Sequence, residues 1–128
     1  MSLTQVHAAI ATACLIFSLI IGVYGAARYF RGLGVDASYW GALAAGELLY
    51  VAQGVLGVLL LVEGMRPARS LVHLLYGVMI IIVLPAAYGF TRGRDTRREA
   101  AIYALIGLFL AGISLRAMST AQFALPGG

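Results

Sequence analysis

The chain has 128 residues, 62% of them hydrophobic and 11% charged. Soluble globular domains run near half apolar and a quarter charged, so the composition excludes an ordinary water-soluble domain. The net charge of +4 does not point to nucleic acid, because the arginines fall at the ends of apolar runs, where membrane topology explains them. A single cysteine, Cys14, excludes an internal disulfide and a cysteine-built metal cluster.

A helix needs about 20 apolar residues to cross a bilayer. The first run that qualifies covers roughly 5–27. Its leading stretch "MSLTQVHAA" lacks the positive n-region of a signal peptide, so a retained helix is expected. His7 stands just past its start, followed by the small residues Ala11, Cys14, Ser18, Gly22 and Gly25 at helical spacing. The connector "RYFRGLGVDA" carries Arg28 and Arg31.

The second run, 38–63, opens with Tyr39 and Trp40 and holds Gly46, Gly54 and Gly57. With Tyr24 and Tyr29, these two aromatics fit an interfacial belt. Glu47 lies within this run, roughly 12 Å from its end at 1.5 Å per residue. A carboxyl inside a membrane is costly, which makes Glu47, with Tyr50 nearby, a candidate proton or quinone-headgroup site. The connector "GMRPAR" supplies Arg66 and Arg69.

The third run, 70–91, carries His73 near its start, Gly77 four residues later, and Pro85 further in. After "RGRDTRRE" the fourth run, 99–120, shows Ala104, Gly107, Ala111 and Ser114 at helical spacing, then Arg116. Small residues let helices approach closely in lipid, where apolar burial gives no net drive between them. The expected architecture is all-α: one domain, 1–128, forming an antiparallel bundle of four transmembrane helices with short connectors.

Arginine placement sets the direction. Arg28, Arg31, Arg92, Arg94, Arg97 and Arg98 lie on one side, against Arg66, Arg69 and Arg116 on the other. Positive residues favour the cytoplasmic side, so both termini and the middle connector are expected outside a prokaryotic-type plasma membrane.

The only two histidines then share a depth. His7 and His73 each enter from the outer face, on helices that are diagonal in a bundle wound in sequence order. Diagonal imidazoles can clamp a haem on both faces, which points to a bis-histidine haem b with His7 and His73 as metal ligands. Ala11 and Gly77, one turn deeper, leave room for a porphyrin, and Arg66, Arg69 and Arg116 are placed to pair with its propionates.

The stretch "QGVLGVLLLVEGMRPARSLVHLL", with Gln53, Gly57, Val62, Gly64, Pro67, His73 and Leu74, resembles the repeated pattern of haem A synthase. "HAAIATACLIFSLIIGVYGAARYF" is similar to that family's other histidine-bearing helix. The resemblance implies one four-helix half of that two-part fold, holding a haem-like molecule between its histidines. In that family the first histidine sits in a Glu-x-x-His-Arg pattern. Here "TQVHAA" has Thr4 and Ala8 at those places, so the resemblance implies the haem clamp rather than haem O oxidation.

The expected function is a small b-type haem protein for electron transfer or haem holding, working with a redox partner protein or a quinone, alone or as a homodimer. Two other classes remain open at this point. One is a cofactor-free accessory subunit of a larger membrane complex, and the other a proton-coupled transporter that depends on Glu47.

Overall fold

The computed structural model describes residues 2–65 and 70–122. Four helices follow in order: α1 (Leu3–Phe30), α2 (Ala37–Val62), α3 (Ser70–Thr91) and α4 (Arg97–Gln122). Each is long and apolar enough to cross a membrane. Hydrocarbon offers no partner to a peptide group, so a helix, which closes its own hydrogen bonds, is the form these runs can take.

The ends are built from local chemistry. Ser2 caps α1 in a reciprocal box with Gln5. The Asp36 carboxylate accepts from the Tyr39 amide at 2.8 Å to start α2. Gly32 and Gly64 take the left-handed conformation, at φ 74° and 86°. There the amides of Leu33 and Met65 reach back to the carbonyls of Arg28 and Leu60, which closes both helices in a backbone conformation that glycine adopts without strain. α3 continues through Pro85 as one helix.

α1 packs against α2 and α4, α3 packs against the same two, and α1 and α3 stand diagonally apart. The α1–α4 seam is the most extensive and the α2–α3 contact the thinnest. Glycine sets the closeness of that seam. A Cβ on Gly107 would stand 2.5 Å from the Gly22 backbone nitrogen, and one on Gly25 would lie 3.0 Å from the Ala100 carbonyl oxygen.

The two shorter loops meet at one end. The Val35 amide donates to the Asp95 carbonyl at 2.8 Å. Arg28 holds Asp36 at 3.3 Å and donates to the Gly34 carbonyl at 2.7 Å. Arg97 donates to the Tyr29 carbonyl and lies 4.0 Å over that ring. The six arginines of the first and third connectors are gathered at this end.

Below the loops a set of tyrosines fastens the core. Tyr39 is fully buried and donates to the Ile21 carbonyl at 2.7 Å. Tyr103 pairs with Thr91 at 3.0 Å, and Tyr50 with Ser18 at 2.6 Å. Tyr39 is therefore a core residue rather than part of an interfacial belt. Trp40 is likewise packed, edge to face, against Tyr88 and Tyr103.

Candidate functional site at the histidine end

At the opposite end the four helices line a cavity of about 650 Å³ that opens at the bundle surface, within the range of small-molecule and cofactor sites. His7 and Ala11 come from α1, Gln53, Gly54 and Gly57 from α2, His73 and Gly77 from α3, and Ser114 and Ala117 from α4. Where the loop end uses small residues to bring backbones together, this end uses them as walls.

The two imidazoles face one another across the bundle diagonal, with ring centroids 6.4 Å apart and planes at 67°. His73 is oriented by α4: its Nδ1 donates to the Ala117 carbonyl at 2.9 Å. A carbonyl oxygen only accepts, so Nδ1 carries the proton in this contact, and the bond orients the ring. His7 packs against α2, where a Cβ on Gly57 would come within 3.4 Å of its Cε1. Its Nδ1 is buried without a hydrogen-bond partner.

Two more polar atoms on this wall, Gln53 Oε1 and Ser114 Oγ, are also buried without partners. Buried polar groups are nearly always hydrogen-bonded, so several orphans around one cavity call for a ligand or ordered water there. Among the described residues no group of three or more histidines, cysteines or carboxylates is assembled. What the described residues bring together there is one pair of imidazoles.

The expected site residues do not all meet there. His7, His73, Ala11 and Gly77 come together on the cavity. Arg116 stands on the exposed side of α4 and outside the lining, because the positions that face inward there are Ser114, Ala117 and Met118. Arg66 and Arg69 lie outside the described residues. Glu47 lines a separate cavity. Tyr50, expected beside Glu47, turns its hydroxyl to Ser18 instead, since α1 offers it the nearer polar partner. Ala117 was not legible as part of the site, because a backbone carbonyl that orients a histidine leaves no mark on residue type.

Comparison of the chain with protein-family models, with curated proteins and with solved structures gives no match.

Proposed function

We propose that the protein is a small integral-membrane b-type haem protein, with His7 and His73 as the two axial ligands. The spacing of the rings carries this reading. A metal–nitrogen bond of about 2 Å on each side, plus about 1.1 Å from each nitrogen to its ring centre, places the centroids of two axial imidazoles roughly 6.3 Å apart. The observed 6.4 Å agrees with that requirement. Axial rings turn about the metal–nitrogen direction, so an interplanar angle of 67° is compatible.

The surroundings support it further. Ala117 holds His73 through Nδ1, His7 has a buried nitrogen without a partner, Ala11 lines the cavity with a small side chain, and Gly77 leaves open space around its Cα. A bound haem would supply one-electron redox chemistry. With both axial positions taken by protein, the iron has no open site, which favours electron transfer or haem holding over oxygen chemistry. The bilayer supplies the solvent, and a redox partner protein or a membrane-soluble quinone would exchange the electron. The six arginines at the loop end orient that end to the cytoplasm and the histidine end outward, in a prokaryotic-type plasma membrane.

The test is a reduced-minus-oxidised absorption spectrum of the purified protein in detergent after supplying haem. A sharp α-band in the parent chain, lost in both His7→Ala and His73→Ala, is the expected result. A featureless spectrum from a folded parent would sink the reading and favour a cofactor-free accessory subunit.

A further inference from the structure

A second cavity, of about 440 Å³, lies between α2 and α3 on the loop side of the first. Trp40, Leu43, Glu47, Leu84, Tyr88 and Tyr103 form its walls. Both Glu47 carboxyl oxygens are buried, and neither has a hydrogen-bond partner. Removing a carboxyl from water without replacing its hydrogen bonds is unfavourable, so a ligand that restores them gains affinity at this atom pair. Trp40 meets Tyr88 and Tyr103 edge to face, with centroids 5.7 and 5.6 Å away, which makes an aromatic corner beside the carboxyl.

The position narrows the ligand class. The cavity runs from Glu47, within the apolar span of α2, to Gly93 of the third connector, beside the thinnest interhelical contact, α2–α3. An amphiphile with its tail in lipid and its headgroup near the boundary would occupy such a position. Gly54, on the wall of the histidine cavity, follows Glu47 by about two turns of α2, roughly 10 Å along the helix. We propose that this cavity binds the headgroup of a lipid-soluble para-quinone, with Glu47 as its hydrogen-bond partner. A carboxyl serves both redox forms of that ring: neutral, it donates to a quinone carbonyl, and ionised, it accepts from a quinol hydroxyl. The apolar and aromatic walls cover a flat six-membered ring. A lipophilic cation would also use a carboxyl and an aromatic corner. Choosing the quinone rests on the haem reading, because a membrane haem with no open coordination position needs an electron partner that travels in lipid.

Trp40 is the only tryptophan, so intrinsic fluorescence reports this cavity directly. Protein in detergent, with no haem added, is titrated with a decyl-substituted benzoquinone. Saturable quenching is expected, with affinity falling at least tenfold in Glu47→Leu and in Ala44→Phe, a change on the α2 wall of the same cavity that narrows it and keeps the carboxyl. Tetraphenylphosphonium is expected neither to quench saturably nor to compete. Non-saturable quenching that is equal in all three folded chains would overturn the proposal. Saturable, Glu47-dependent binding of tetraphenylphosphonium in place of the quinone would overturn it in favour of a cation site. If Glu47→Leu fails to fold, Ala44→Phe decides alone. Because the titration does not use haem, it fails or succeeds separately from the absorption spectrum.

Discussion

Small residues run along α1, α2 and α4, yet the loop half and the histidine half of the bundle use them in opposite ways. In the loop half Gly22, Gly25, Gly46 and Gly107 are buried, and an added Cβ at any of them would strike a neighbouring helix within 3.0 Å. In the histidine half Gly57 and Gly77 border open volume, with nothing within 4 Å of a Cβ on Gly77. Polar groups divide along another line, between the tyrosine core and the two cavities. Tyr39, Tyr50 and Tyr103 are each hydrogen-bonded, whereas the unpartnered buried polar side-chain atoms among the described residues belong to His7, Gln53 and Ser114 in one cavity and Glu47 in the other. The α1–α4 seam and the tyrosine core are finished by their own side chains, whereas the two cavities, one in each half, are lined by polar atoms that no side chain of the described residues satisfies.

The largest expected effect exposes that contrast with one chemical change made twice. Glycine to alanine inside a helix normally gains up to about 1 kcal/mol in propensity. At Gly107 the new methyl would meet the Gly22 backbone, which has no side chain to swing aside, so Gly107→Ala is expected to destabilise by about 1–3 kcal/mol through overpacking. Gly77→Ala meets nothing and should be neutral or slightly stabilising. Thermal unfolding in detergent, followed by far-ultraviolet circular dichroism, measures both. Equal shifts of the same sign would break the distinction between the two halves.

A larger side chain at the open position separates room kept for a ligand from room left by loose packing. Gly77→Leu should fold with a melting temperature within a few degrees of the parent, since it fills space rather than displacing backbone. If the parent takes up haem as proposed, Gly77→Leu should lack the resulting α-band, because the leucine would stand one turn below His73 in the same cavity. A variant that melts normally and keeps the band would remove the wall at Gly77 from the site.

Much of this contrast was hidden in the residue types. The four spans were legible because hydrocarbon requires long unbroken apolar runs, and the arginines mark their ends; the limits agree with the helices to within three residues. The shared depth of His7 and His73 was legible too, since 1.5 Å per residue and antiparallel connectors fix depth once the spans are known. What could not be read was which half of each small-residue stripe would close. Ala11, Cys14, Ser18 and Gly22 form one continuous stripe on α1, and only the packing of α4 on Gly22 and the place of Ala11 on the cavity wall assign them different roles. Tyr39 and Trp40 misled for a related reason: aromatics at a span end can anchor at the interface or turn inward, and the carbonyl that claims Tyr39, that of Ile21, carries no sequence signal.

The smallest expected effect concerns how the closed end is held. Asp36, outside the membrane spans, has its carboxyl pushed below the ordinary carboxylate range, first by the Tyr39 amide it accepts, then by the Tyr24 hydroxyl and the Arg28 guanidinium. A folded-state value below the unfolded one means that the ionised form stabilises the fold. That contribution is complete above the usual aspartate value of about 3.9 and disappears as pH falls through the lower folded value. An asparagine side chain at this position would still cap α2, because its amide oxygen also accepts from the Tyr39 nitrogen, so Asp36→Asn removes the charge and spares the cap. The parent should melt slightly higher than Asp36→Asn at pH 6, by a margin that salt reduces, since the pair is solvent-accessible. As pH drops below about 4 the gap should begin to shrink, and it closes once pH passes the lower folded value, where a protonated aspartate and an asparagine both meet Arg28 without charge. A gap that stays constant down to pH 2 would mean that the Arg28–Asp36 ion pair contributes nothing, leaving the backbone bond between Val35 and Asp95 and the Tyr39 anchor to hold the loop end closed.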